Sequence, residues 1–198
     1  MNIRQKLSPE DMRERIIAVA EEHFRRIGYG KTAVADIAAA LGMSPANVYR
    51  FFPSKSAINN AICAKIMVEI DELAESVVAR PAPAGQRFVA LIRALHRYNK
   101  TKLTNEHRLY DMVEVAMAEN WPAIDAHCNS MVRFIARLVE DGIARGEFRS
   151  VEPERFAQTA FEACAKVLHP TLIAHCADED QEDQVARLTG LVLDALRR

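Results

Sequence analysis

The chain has 198 residues, with 26 Lys or Arg against 27 Asp or Glu, a formal net charge of −1. Apolar residues make up 49% and charged residues 27%, and there are only 7 Gly and 8 Pro. This excludes a uniformly basic nucleic-acid coat, an acidic disordered tail and a low-complexity chain, and leaves a globular protein of one or two domains.

Nearly every segment has a helical period. Ser8-Pro9-Glu10-Asp11 opens the first predicted helix, with Ser as N-cap, Pro in the first turn and acids facing the positive end of the helix dipole. Ile16, Ile17, Ala20, Phe24 and Ile27 follow as one apolar stripe, and Gly28 stops the helix. Thr32 is placed to cap a second helix with an inner face of Val34, Ile37, Ala38 and Leu41, ending at Gly42. Ser44-Pro45 starts a third, which stops at Phe52-Pro53. Ser54 caps a fourth, which runs from Lys55 to about Val78. Arg80-Pro81-Ala82-Pro83-Ala84-Gly85 reads as a connector. Beyond it the pattern predicts helices at about 85–100, 104–118, 122–145, 153–175 and 181–197. Gly142 to Gly146 should fray the end of the third of these, and Pro170 should bend the fourth. Period-two runs and hairpin turns are missing from the sequence, so the expected fold class is all-α.

Charge is unevenly placed. Residues 1–60 carry nine basic and six acidic side chains, a surplus of three positive charges, and the remainder is acidic by four. A basic end on an acidic body fits a polyanion-binding module, or two ordinary solvated faces. Cys63, Cys128, Cys164 and Cys176 form no C-x-x-C pair. The opening MNIRQKLSPEDMRERI puts charge where a signal peptide needs an apolar run, and no stretch is long and apolar enough to span a membrane. The expectation is a cytoplasmic protein with reduced thiols and no membrane partner.

Two short helices meet across Leu41-Gly42-Met43-Ser44, a helix–tight turn–helix unit. In a DNA-binding unit of this kind the second helix enters the major groove with its N-terminal residues at the base edges. Here those residues are small or polar: Ser44, Ala46 and Asn47, followed by Tyr49 and Arg50. Lys55 opens the next helix, where its ammonium and the unpaired N–H groups could grip one phosphate. A helical hairpin packed inside any all-α protein is the competing reading.

The wider pattern resembles the TetR family of bacterial transcriptional regulators. The resemblance covers residues 10–60. It runs through Ile16-x3-Ala20, Phe24-x3-Gly28-Tyr29, Thr32, Ile37-Ala38-x2-Leu41-Gly42-Met43-Ser44 and Val48-Tyr49-x2-Phe52-x2-Lys55-x2-Ile58. Phe51 stands where the family often has His, and Pro53 where it often has Lys or Gly. The resemblance implies an N-terminal three-helix DNA-binding domain at 1–55, joined by a fourth helix to a helical ligand-binding and dimerisation domain at 56–198. It implies a homodimer on a pseudo-palindromic double-stranded DNA operator, a repressor released by a small-molecule effector. By carry-over, Thr32, Tyr49 and Lys55 would touch phosphates. Ser44, Ala46, Asn47 and Arg50 are the base-edge candidates.

Two further constellations concern ligands. Tyr110, Glu114, Met117, Trp121, His127, Met131, Phe134 and Phe161 are candidates for a small-molecule pocket, or plain core and surface. His107, Asp111 and Glu114 fall at i, i+4 and i+7. With His127 and His169 on later helices, they supply donors that a divalent metal accepts, or an ordinary polar face. The spacing is no recognised metal motif, and no cofactor is expected. Catalytic signatures such as G-x-S-x-G or a Gly-rich phosphate loop do not occur, so an enzyme is not expected. The alternative to the DNA-binding regulator is a helical ligand- or metal-binding protein that does not touch DNA. Near the C-terminus, Gln184, Leu188, Leu191 and Ala195 run beside Val185, Val192 and Leu196, a stripe wide enough for a core and a dimer partner.

Overall fold

The computed structural model describes residues 8–104, 107–119, 122–176 and 179–197, with the side chains of 103–104 and 107–110 excepted. The described residues form eleven α-helices and one π-helical segment. They are α1 (Pro9–Ile27), α2 (Val34–Ala40), α3 (Pro45–Tyr49), α4 (Lys55–Val78) and α5 (Ala84–Tyr98). A π-helical segment (Asn99–Thr104) leads to α6 (His107–Ala118) and α7 (Pro122–Ala144). Then come α8 (Pro153–Ala163), α9 (Ala165–Leu168), α10 (Pro170–His175) and α11 (Gln181–Asp194).

Local chemistry sets the first helices. Ser8 Oγ accepts from the Asp11 N–H at 3.1 Å while the Asp11 carboxylate accepts from the Ser8 N–H at 3.0 Å, a reciprocal cap. Ile16, Ala20 and Phe24, spaced by four, are fully buried. They meet Val34, Ile37 and Ala38 of α2, Val48 of α3 and Phe52 in one apolar core. The cap expected at Thr32 is not made. Its hydroxyl donates to Gly28 O at 2.9 Å, and the start of α2 is closed instead by Asp36, which accepts from the Ala33 N–H at 2.8 Å. Gly42 has φ 66°, the left-handed conformation that lets α3 leave α2 within one turn.

Helix α4 is the axis of the molecule. Ile58, Ile62, Ile66 and Ile70 form one buried stripe, and Cys63, Met67, Ala74 and Val77 widen it. It therefore packs against α1 on one side and α5, α6 and α7 on others. Arg87, almost fully buried on α5, ties three helices together. It donates to Val78 O at 2.8 Å and pairs with Asp141 of α7.

Two expectations fail in the C-terminal half. Gly142 does not fray α7; it is buried inside the helix, and a Cβ there would lie 2.2 Å from the Phe148 ring. The single helix expected at 153–175 is three short ones, broken at Cys164 and again before Pro170. Pro170 removes a backbone donor and crowds the preceding turn. At the same place two carbonyls of α9 are capped by side chains from elsewhere. His96 Nδ1–H donates to Val167 O at 2.8 Å, and Asn99 Nδ2 donates to Leu168 O at 2.6 Å.

Candidate functional sites: the helix-turn-helix face and an internal cavity

The third helix shows one side to the core and the rest to solvent. Val48 is its buried anchor. Ser44, Ala46, Asn47, Tyr49 and Arg50 are all exposed, Tyr49 by 50%. The Ser44 hydroxyl accepts from the Asn47 N–H at 3.4 Å, so Ser44 starts the helix and Asn47 keeps its side chain outward. This is a bare polar helix face of the kind that enters a major groove.

Two cations hold that helix in place. Arg13 of α1 donates to Phe51 O at 2.6 Å and lies 4.4 Å over the Phe52 ring. Lys55 donates to Tyr29 O at 2.9 Å and Thr32 O at 3.0 Å, with its ammonium 4.3 Å from the Tyr29 ring centre. Two of the three ammonium donors of Lys55 are thus committed inside the protein. Thr32 is 2% exposed with its hydroxyl proton committed to Gly28 O. The residue that spacing failed to flag is Arg13, because its partners lie 38 positions away in the chain.

The second site is a cavity of about 370 Å³ lined by residues of α4 to α10. Met67 and Ile70 of α4, Leu95 of α5, Val113 and Met117 of α6, and Ile124 and Met131 of α7 make its apolar walls. Phe161, Ala165 and Leu168 close it from α8 and α9, and Asn99, His127, Cys128, Gln158, Glu162, His169 and Pro170 complete the lining. Of the candidate pocket residues, Met117, His127, Met131 and Phe161 line this space. Glu114 and Phe134 do not: Glu114 is exposed, and Phe134 sits beneath Arg137, 5.8 Å from its guanidinium. On α6 the cavity face passes through Val113 and Met117, and Glu114 lies one helical step around from it. The Tyr110 side chain and Trp121 lie outside the described residues.

His127 Nδ1 faces Asp71 Oδ1 of α4 at 2.9 Å. Burial pushes the imidazole below its ordinary pKa, and the Asp71 carboxylate opposes this only in part. Burial lowers His169 as well. The metal reading loses its geometry here. Asp111 and Glu114 are exposed on α6 while His127 and His169 face the cavity, and His107 has no described side chain. Among the described residues no three His, Cys, Asp or Glu side chains cluster as a metal site. Burial raises the Cys63 thiol to about 12 and the Cys164 thiol to about 11, which disfavours their reactive thiolate forms.

The last helix divides its stripe. Gln184, Val185, Thr189, Val192 and Leu196 are buried in the chain's own core. Leu188 is half-buried, and Leu191 is 66% exposed, the most exposed large apolar side chain described.

Residues 16–62 match the model of the N-terminal domain of the bacterial regulatory proteins of the tetR family, and residues 84–189 match the tetracyclin repressor-like C-terminal domain. The chain belongs to the TetR family. This TetR-family protein is a DNA-binding transcriptional regulator, and α2 and α3 lie within its matched N-terminal domain. Solved structures share the whole architecture. A TetR/AcrR-family regulator from Thermobifida fusca is 26% identical with a TM-score of 0.61, over 95% of this chain and 100% of that one. The fatty acid degradation regulator FadR from Bacillus halodurans is 18% identical with a TM-score of 0.68, over 96% and 97%. FadR from Bacillus subtilis, solved with stearoyl-CoA, is 18% identical with a TM-score of 0.68, over 93% and 99%. No protein of curated function is significantly similar in sequence. No described helix is long and apolar enough to cross a membrane.

Proposed function

We propose that this TetR-family regulator is a cytoplasmic repressor. In this reading it is a homodimer on a pseudo-palindromic operator, released when a small molecule fills the cavity. The observation that carries this is a shared wall. Val113 and Met117 of α6 line the cavity, and the same helix packs against α1 of the DNA-binding head. The end of α6 also reaches the α1–α2 loop, where Tyr29 is shifted upward, first by burial and then by the nearby Glu119 carboxylate. A ligand that moves α6 therefore moves the base of the head. In this division residues 1–55 read DNA and 56–198 sense and dimerise. The B. subtilis relative, whose fold is the same, was solved with an acyl-CoA, which supports an effector site in this body.

The two heads of a dimer would place two α3 helices one turn of DNA apart or a multiple of it. Ser44, Ala46, Asn47 and Arg50 would face base edges, with Tyr49 at the backbone. Lys55 and Thr32 have most of their donors committed inside the head, so their part is to hold the surface that meets phosphate.

The test is a gel shift with DNA flanking the protein's own gene. The wild type should give a salt-sensitive shift that an effector reverses. Ala165→Phe, which fills the cavity, should keep the shift and lose the response. An Ala165→Phe protein that still responds would place the effector elsewhere.

A further inference from the structure

The cavity has a polar end, and its groups are unevenly satisfied. Asn99 is the first residue of the π-helical segment and is only 8% exposed. Its Nδ2 donates to Leu168 O, and a carbonyl can only accept, so the amide orientation is settled and Oδ1 is the acceptor left over. That Oδ1 is buried and has no hydrogen-bond partner among the described residues. His169 Nδ1 is in the same state. His127 donates through Nδ1 to the Asp71 carboxylate, so Nε2 of its neutral ring is a further acceptor. A buried acceptor without a donor is costly, and a π-helical segment at such a point is typical of functional sites.

Charge narrows the ligand. No Lys or Arg lines the cavity among the described residues. The one carboxylate in its lining, Glu162, is exposed and accepts from Gln158 Nε2 at 2.6 Å. An anion entering this space would lose its hydration and gain no countercharge, and it would face the acceptor Oδ1 of Asn99. A hydrocarbon would fit the walls and leave Asn99 Oδ1 unmet. We infer that the cavity selects an uncharged, largely apolar molecule carrying a hydroxyl, which donates to Asn99 Oδ1, over carboxylates and acyl-CoA thioesters of similar apolar size. This rests on the cavity being the effector site.

The experiment is calorimetric titration of the full chain with 4-butylphenol, butylbenzene, 4-butylbenzoate and lauroyl-CoA at pH 7.5. The phenol should bind about tenfold tighter than butylbenzene, the worth of one buried hydrogen bond, and the two anions should bind more weakly still. Asn99→Leu should bring the phenol down to the level of butylbenzene, whose own retained binding shows that the variant is folded. If that variant fails to fold, the wild-type ranking alone decides. Benzoate or lauroyl-CoA binding as tightly as the phenol, lost in Ala165→Phe, would overturn the hydroxyl inference and keep the cavity as the effector site. No heat from any of the four, or binding untouched by Ala165→Phe, would overturn the cavity reading itself.

Discussion

The helix-turn-helix region and the cavity differ in how their polar side chains are satisfied. In the head the groups that look ready for a ligand are spent on the protein: Lys55 on Tyr29 O and Thr32 O, Arg13 on Phe51 O, the Thr32 hydroxyl on Gly28 O. Ser44, Asn47, Tyr49 and Arg50, on one short helix and its two caps, stay exposed. At the cavity of the body, Asn99 Oδ1 and His169 Nδ1 are buried and have no hydrogen-bond partner among the described residues. In the proposed reading, the committed groups hold in place the exposed helix that meets the duplex. In the proposed reading, a ligand in the cavity completes the unsatisfied groups there.

The comparison breaks most readily at Phe52. It is 2% exposed and sits under Arg13, so Phe52→Ala should cost roughly 3–5 kcal/mol in urea unfolding and remove operator binding. If binding survives at full strength, α3 is not held by this contact. Leu191→Glu comes next. It should convert a dimer to a folded monomer in sedimentation and lower operator affinity more than tenfold, since one head makes half the contacts. A wild type that is monomeric at micromolar concentration and still binds its operator would end the dimer reading. Leu188→Glu is the poorer probe, because Leu188 also packs on the chain's own core.

Lys55→Ala and Asn47→Ala sharpen the contrast inside the head. Lys55→Ala should lower stability by about 1–2 kcal/mol through its two carbonyl bonds and weaken binding to all sequences alike. Its effect on the salt slope should fall short of the roughly one unit that a full phosphate contact gives. Asn47→Ala should leave stability within about 0.5 kcal/mol and change base preference. A salt slope lowered by a full unit in Lys55→Ala would return the lysine to the DNA backbone.

The smallest effect is on pH. His127 titrates lower in the folded chain than its ordinary 6.5, because burial outweighs the Asp71 bond. The unfolded chain then binds the proton first, so this contribution is complete above about pH 6.5 and is lost as pH falls through the folded value. Melting temperature should drop between pH 7 and pH 5, and His127→Gln should flatten that drop. A wild-type profile as flat as the variant's would mean that His127 is protonated at no extra cost.

The sequence by itself determined what is local. Ser8, Ser44 and Ser54 start helices, Gly28 and Gly42 stop them, and the stripe Ile16, Ala20, Phe24 fixes the inner face of α1. The helix-turn-helix unit was legible because its parts are contiguous and each has one conformational duty. Four of the six described pocket candidates, Met117, His127, Met131 and Phe161, line the cavity. Tertiary structure alone decided the rest. Asp71 meets His127 across 56 positions, and Asn99 meets Leu168 across 69, which no period reveals. The helix expected whole at 153–175 is broken where side chains of α5 and the π-helical segment take its carbonyls. Gly142 lies inside α7 because Phe148 needs the space a Cβ would fill. Lys55 turned inward because two carbonyls and a ring offered its ammonium a fixed site, and only packing places them together.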